Sequence, residues 1–520
     1  MAPSMQTPTL GMMIRGYMRH LCLILLVLVG ACNRQLGDQR QAALKLETRG
    51  GIGTFTFPAA DQARPYTLLV YNPTTDKKPF DFSLEFSFLP KEEASSASSK
   101  INLGTAPRRR SSAGKGTIEY VLDDPQAHGY DEGATYRLHV PEKDHQREIE
   151  ATALTVLDHA AFLVETTLLD ESAERKIRAV AKVFDEVIYP RATALFGTPS
   201  DINGDEKIAV LFTSFHNRNL GGFFNHIDLL PENADNPDHH PNLQEILYLT
   251  LERSEADLLE NLAHELQHLL FFSSKYMTNE DGTYRLKLDI PYEERGINEG
   301  LSHFAEDVLG YGCNLPGLVR YYLEGFDGAS LQYESDEDLE EALVARAGNY
   351  LFIRYLFDRL GGGRFESDHS LTNAPAKEFF SSLAASRKVG YRHLAETFSA
   401  ISGTKTDLAD LIADFFTAMT YYGSSESYNP RFQFAEPLTD PVSGLLTGVP
   451  RPGHRTLGSG GKGVELEPVR RLALTTATRG TLSSLGARTY RVTVPAGESA
   501  TMQLRAGKES KLSYIVLKDH

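Results

Sequence analysis

Asn261-Leu262-Ala263-His264-Glu265-Leu266-Gln267-His268 is the stretch from which the rest of the chain can be read. Residues four apart lie one above the other on a helix, so His264 and His268 aim two imidazoles at one point, half of a tetrahedral zinc shell. Glu265, one residue round the helix, can reach a water on that metal and take its proton without binding the metal itself. The flanks predict the helix: Ser254 followed three residues later by Asp257 reads as a capping box, and Leu258, Leu262, Leu266 and Leu269 recur at spacings of four and three. Such a short pattern also arises by chance on core helices whose histidines are satisfied by neighbours. A third ligand decides between the two readings.

That ligand is supplied by Gly296-Ile297-Asn298-Glu299-Gly300-Leu301-Ser302-His303-Phe304-Ala305-Glu306-Asp307. With both motifs in this order the chain resembles the gluzincin metallopeptidases, whose second active-site helix carries an Asn-Glu pair. The N-E-G-L-S-x-x-A-E form, together with Val183-Phe184-Asp185-Glu186-Val187-Ile188-Tyr189-Pro190 and Asp201-Ile202-Asn203-Gly204-Asp205-Glu206-Lys207, looks most like the hyicolysin family of bacterial secreted metallopeptidases. The resemblance covers residues 180 to 360. It implies an α+β fold with a thermolysin-like catalytic domain, a small sheet and active-site helices. It also implies one Zn²⁺ per chain held by His264, His268 and Glu299, with Glu265 as the base.

Two positions depart from the wider pattern. Thermolysin-like enzymes place an Asp four residues after the ligand Glu to orient a zinc histidine, whereas this chain has His303. Glu306 or Asp307 can take that part, and His303 stays a candidate beside them. Gluzincins also use a Tyr or His to stabilise the oxyanion. The helix Ala347 to Leu356 resembles the one that follows such a donor, but the expected Tyr corresponds to Ala345; Tyr350 is the nearby candidate, with packing on an apolar helix as the other reading. Gly221-Gly222-Phe223-Phe224-Asn225 precedes the zinc helix where such peptidases place the edge strand that aligns an extended peptide. Phe224 stands where the aminopeptidase branch carries a Glu for the substrate's amine, which points to an endopeptidase.

The chain has 520 residues, enough for roughly two to four domains, and its 41% hydrophobic and 23% charged residues are ordinary globular values. A net charge of −16 excludes nucleic acid as the expected partner, because phosphate binding needs basic patches. A peptide or protein substrate and a monomeric chain are expected. At the start, Arg15, Arg19 and His20 precede the apolar run Leu21 to Val29, too short to span a bilayer and typical of a signal peptide. Val29-Gly30-Ala31-Cys32 resembles a bacterial lipoprotein signal, with cleavage before Cys32 and lipidation there. An ordinary secretory signal is the alternative. The lipoprotein reading places the protein outside the cytoplasm, anchored in the cell envelope at the outer membrane or cell surface. Of three cysteines, Cys22 leaves with the signal and Cys32 is acylated, so Cys313 remains without a disulfide partner and reads as a core thiol.

Composition divides the remainder. Residues 32–150 read as a β-rich domain, carried by the alternation of Phe80, Phe82, Leu84, Phe86 and Phe88, with a Ser- and Arg-rich excursion at 91–116. Residues 151–425 form the catalytic domain, with a strand expected over Leu154 to Val164 and a helix over Glu171 to Ile188 that Pro190 ends. Residues 426–463 read as a linker and 464–520 as a small β-sandwich-like domain. Asp201, Asn203 and Asp205 place oxygen ligands at alternating positions like the start of a calcium loop, but Gly204 comes two positions early. A structural Ca²⁺ and a plain turn are both expected readings there. His239 and His240 read as an exposed loop, and Asp281-Gly282 as a hairpin turn. The resulting expectation is a zinc-dependent endopeptidase, with a zinc aminopeptidase or a non-catalytic surface-binding lipoprotein carrying a vestigial metal site as alternatives.

Overall fold

A computed structural model describes residues 44–48, 50–89, 119–121, 129–142, 145–215, 220–230, 240–280, 283–287, 289–325, 328–333, 335, 338–422, 429–450 and 470–518. The signal at 1–31, Cys32, the excursion at 91–116, His239, the Asp281-Gly282 turn and the Gly458 to Gly463 run lie outside these residues. The fold is mixed α+β.

The first strands are β1 (Leu44–Glu47), β2 (Ile52–Phe57), β3 (Arg64–Tyr71) and β4 (Phe80–Leu89). Period-two alternation in β4 sends Phe82 and Leu84 into an apolar core and leaves Phe88 at the rim. After β5 (Glu119–Val121) come β6 (Thr135–Pro141), β7 (Gln146–Val156) and β8 (Ala160–Glu165). The single strand expected over Leu154 to Val164 is therefore two antiparallel strands, folded back by a turn at 157–159. Helix α1 (Glu171–Val183) runs into a π-helical turn at Phe184–Ile188 and then α2 (Tyr189–Phe196). Pro190 does not end the helical path: it falls in the first turn of α2, directly after the π-helical turn, where its fixed φ suits a helix.

Strands β9 (Ile208–Thr213), β10 (Gly222–Phe224) and β11 (Ile246–Thr250) complete a six-stranded sheet in the order β10-β11-β9-β8-β7-β6. The β8-β9 and β9-β11 pairs are parallel and the others antiparallel. Every residue of β9 is buried, as a strand with both faces covered requires. One face packs on the helices through Val210 and Phe212, the other through Ala209 and Leu211. Strand β10 forms one edge.

The long α3 (Glu255–Tyr276) crosses this sheet. It starts at the expected capping box: Ser254 Oγ accepts from Asp257 N at 3.2 Å, and Ser254 N donates to Asp257 Oδ2 at 3.3 Å. Leu258, Leu262, Leu266 and Leu269 are all fully buried, each contributing about 1.5–3 kcal/mol. A hairpin of β12 (Met277–Glu280) and β13 (Thr283–Lys287) leads to α4 (Arg295–Val308), α5 (Leu315–Gly325), α6 (Leu339–Arg359), α7 (Ala374–Ala385), α8 (Gly390–Ser402) and α9 (Leu408–Thr420). Helix α4 packs against both α3 and α6. Gly300 makes the second contact possible: a Cβ there would lie 2.7 Å from Asn349 Cβ.

Two short strands, β14 (Leu438–Thr439) and β15 (Leu446–Thr447), precede β16 (Arg470–Arg471), β17 (Thr478–Leu482), β18 (Ala487–Val494), β19 (Ser499–Ala506) and β20 (Ser513–Lys518). These C-terminal strands pair with the N-terminal ones. One sheet has the order β1-β20-β3-β18-β16 and the other β17-β4-β19-β2. The separate β-rich domains read at 32–150 and 464–520 are thus corrected. Residues from both ends build one sandwich around Phe57, Leu68, Leu84, Tyr490, Met502 and Val516, while β6 and β7 belong to the central sheet. Each end alone supplies only part of every sheet, so neither can bury its apolar face by itself. Among the described residues no helix is long and apolar enough to cross a membrane.

Candidate metal centre

On α3 the four-residue spacing brings the His264 and His268 rings to 4.9 Å between centroids. Helix α4, docked against them, supplies Glu299: its Oε2 is 3.5 Å from His264 Nε2 and its Oε1 is 3.9 Å from His268 Nε2. One donor atom from each of the three lies within 4.8 Å of the others. Tetrahedral donors about 2.0–2.2 Å from a zinc ion stand roughly 3.3–3.6 Å from one another, so this set closes on a metal with little movement.

The surroundings fit a cation as well. His264 Nδ1 donates to Glu306 Oε1 at 2.6 Å, which directs Nε2 toward Glu299. The same Glu306 oxygen accepts from His303 Nδ1 at 2.8 Å. Glu306 therefore fills the orienting part left open between it and Asp307, and His303 meets the site through Glu306 and through an edge-on ring contact with His264 at 4.8 Å. Oε2 of Glu299 is buried and receives no aligned hydrogen bond, a lone pair turned toward the imidazoles.

The ionisation pattern follows from this crowding. Burial pushes the Glu265 carboxyl up to about 7, and the charge of Glu299 adds to the rise. Burial also lowers His268 to about 3, favouring the neutral, ligating imidazole. Burial works against a charged His264, yet Glu299 and Glu306 outweigh it and raise that imidazole well above its ordinary value. Glu299 is held well below the carboxylate range despite burial, by His264 and by the guanidinium of Arg346.

Glu265 is placed by the edge strand. Its Oε2 accepts from the backbone N–H of Phe224 at 2.9 Å, across the gap that Gly222 keeps narrow. A Cβ on Gly222 would stand 2.8 Å from Tyr248 O and 3.5 Å from Glu265 Cγ. His264, Glu265, His268 and Glu299 all line one cavity of about 460 Å³, walled on one side by Phe224, Phe272, Tyr276 and Tyr292. His226 stacks against Phe272 and Tyr292 at 5.1 and 5.3 Å.

No protein-family model matches the chain, and no curated protein is similar to it by sequence.

The other residues singled out from sequence fall elsewhere. Tyr350 is fully buried and its hydroxyl donates to Asp307 Oδ2 at 3.1 Å; it does not line the cavity, which corrects its reading as an oxyanion candidate. Asp307 belongs to that buried network, accepting also from Arg354 Nη1 at 2.9 Å and Gly448 N at 2.7 Å. Cys313 is half-buried rather than a core thiol: its Sγ donates to Glu260 Oε2 at 3.2 Å, and burial with that carboxylate raises its pKa. Among the described residues, two further groups of His, Cys and carboxylates could hold a metal, His264-His303-Glu306 and Asp257-Glu260-Cys313.

Asp201 and Asp205 belong to neither group. Asp201 Oδ1 accepts from Glu206 N at 3.0 Å and Asp205 Oδ1 from Lys207 N at 2.9 Å, the hydrogen bonds of a turn, while the buried Asn203 Oδ1 and Asp205 Oδ2 have no hydrogen-bond partner among the described residues. Arg346 was not foreseen. Its Nη1 is 3.0 Å from Glu299 Oε2, and the only sequence signal is a lone cation in the apolar run Ala342 to Gly348, after the acidic first turn of α6.

Proposed function

We propose that the chain is a zinc-dependent endopeptidase of the gluzincin type, most like the hyicolysin family, exported and anchored to the cell envelope through a lipid on Cys32. The observation that carries this reading is the convergence of His264, His268 and Glu299 in one cavity with Glu265, whose carboxylate is tied to the edge strand. When bound there, zinc supplies a Lewis acid that polarises a peptide carbonyl and lowers the pKa of water toward neutrality.

The chain's own residues do the rest. His264 and His268 would hold the ion, His264 losing on binding the proton that Glu299 and Glu306 favour, and Glu306 keeps His264 in the tautomer that turns Nε2 to the site. Glu265 takes the proton of the attacking water and returns it to the leaving amine, a role suited to a carboxyl held near neutrality. An extended peptide adds along β10, which among the described residues has β11 as its one strand neighbour and commits the Phe224 N–H to Glu265, so the remaining main-chain groups hold it irrespective of sequence. Phe224 offers no carboxylate for a substrate amine, which supports internal cleavage over aminopeptidase action.

The test is casein hydrolysis by the purified full chain beside Glu265→Gln, with zinc content measured in both. The variant keeps its zinc and loses roughly 10²–10⁴-fold in rate, the usual contribution of a positioned proton acceptor. Two zinc-loaded proteins that both leave casein and other unfolded substrates intact would remove the peptidase reading and leave the binding-lipoprotein alternative.

A further inference from the structure

We infer that Arg346 is the group that meets the negative charge developing on the substrate's carbonyl oxygen. This rests on the peptidase reading above and supplies the donor that neither Ala345 nor Tyr350 can provide. Ala345, its chain neighbour, is turned away into a small cluster with Tyr333 and Ala342, and Tyr350 is committed to Asp307. Arg346 enters the cavity instead. Its guanidinium lies 3.0 Å from Glu299 Oε2. It lines the same space as Glu265 and both histidines, and its charge is felt by Glu265, His268 and Glu299 together. A cation within reach of the base and of two ligands stands beside the point where the reacting carbonyl must lie.

Its contact with Glu299 is suited to such a part. Oε2 receives no aligned hydrogen bond, so the pair is a charge contact rather than a locked fork. A guanidinium carries five N–H donors, enough to serve more than one partner, and this side chain is about a quarter exposed. The chemistry balances without any further reactant. The water oxygen bonds to the carbonyl carbon, its proton passes to Glu265, and the carbonyl π pair moves onto the oxygen that faces Arg346. On collapse that pair re-forms the carbonyl, the C–N bond breaks, and Glu265 gives its proton to the departing nitrogen. Arg346 stays protonated throughout, as guanidinium groups do in proteins. Its benefit is larger for the anion than for the neutral carbonyl, the condition for raising kcat rather than binding alone.

The test compares the parent, Arg346→Met and Arg346→Lys in the full chain, with Tyr292→Phe and Arg295→Met as controls for two exposed donors that line the same cavity. Three readings are taken: zinc affinity by competition with a chelator, kcat and KM on a peptide cleaved by the parent, and calorimetric affinity for a phosphinic peptide, whose tetrahedral anion imitates the reacting centre. In Arg346→Met, zinc affinity and KM stay within about threefold. Both kcat and phosphinic peptide affinity fall about 10²-fold, as for the loss of one oxyanion donor, with partial recovery in Arg346→Lys. A fall in zinc affinity whose activity loss is repaired by added zinc would overturn the inference, reducing Arg346 to a holder of Glu299. So would unchanged kcat and phosphinic peptide affinity, or the same losses in Tyr292→Phe or Arg295→Met alone. If the parent cleaves nothing, the peptidase reading fails by itself, and the difference in phosphinic peptide affinity between parent and Arg346→Met still decides the role of Arg346.

Discussion

A single oxygen of the buried Glu306 accepts from two imidazoles, His264 at 2.6 Å and His303 at 2.8 Å. Removing it leaves His264 free to rotate and to take the wrong tautomer. Glu306→Ala is therefore expected to lower zinc affinity roughly 10–100-fold by chelator competition, with His303→Ala costing much less, because the ring of His303 packs edge-on against His264 but does not hydrogen-bond its Nδ1. A second buried carboxylate gives a pH signature. Burial raises Glu245 to about 7, partly offset by Ser200 and the N–H of Ile202. Its folded-state pKa exceeds the unfolded value of 4.5, so the stability it contributes is fully present below pH 4.5 and is lost as pH rises through about 7. Between pH 5 and 8 the parent should lose up to about 3 kcal/mol in urea unfolding that Glu245→Gln does not lose, since the amide keeps an acceptor for Ile202 N. Equal losses in both proteins would count against a protonated Glu245. At this scale the pairing of His264 and His268 was legible, because helical spacing specifies which side chains share a face, and Glu299 was legible only through the resemblance of its Asn-Glu motif. Arg346 and the double use of Glu306 were not, since both depend on how separate helices dock.

Where α4 meets α6, the crossing sets the distance between the third ligand and Arg346. Gly300 sits at the point of closest approach, its missing Cβ replaced by Asn349, whose Nδ2 donates to Leu331 O at 2.6 Å. Gly300→Val forces atoms into a space of 2.7 Å, so the helices must part. Overpacking of this kind costs about 1–3 kcal/mol. The expected outcome is a lower urea midpoint together with reduced zinc content, because Glu299 precedes Gly300 directly and shifts with it. Retained zinc at parental stability would show that α4 tolerates the displacement. The elements themselves were largely readable: the capping box at Ser254 and the leucine spacing placed α3, and alternating Phe residues placed β4. The continuation past Pro190 escaped notice because a proline in a first helical turn and a proline after a last one look alike in sequence.

In the whole molecule the two ends of the chain close on each other, and this was invisible to local patterning, since strand partners hundreds of residues apart leave no periodic trace. β3 lies between β18 and β20, and β4 between β17 and β19, so no N-terminal strand has a complete ladder without the C-terminal ones. The sandwich also grips the helical part: Gly328 N donates to Ala487 O at 2.8 Å, Ser330 Oγ to Ser484 O at 2.6 Å, and Lys45 pairs with Asp410 at 2.5 Å. A chain stopped after Pro450 would expose Leu68, Val70 and Leu84, all fully buried in the intact protein, along with open strand edges that invite aggregation. Such a chain should be poorly soluble and bind an apolar dye. A separately made peptide of residues 470–518 should suppress both effects by restoring the missing strands. A soluble, zinc-loaded protein ending at Pro450 with no need of that peptide would mean that the sandwich is dispensable to the central sheet and helices. Failure of the peptide to rescue an aggregated truncation would place the pairing of the chain ends within the folding of the continuous chain, through the contacts of Ser330 and Gly328 that tether it beside its partners.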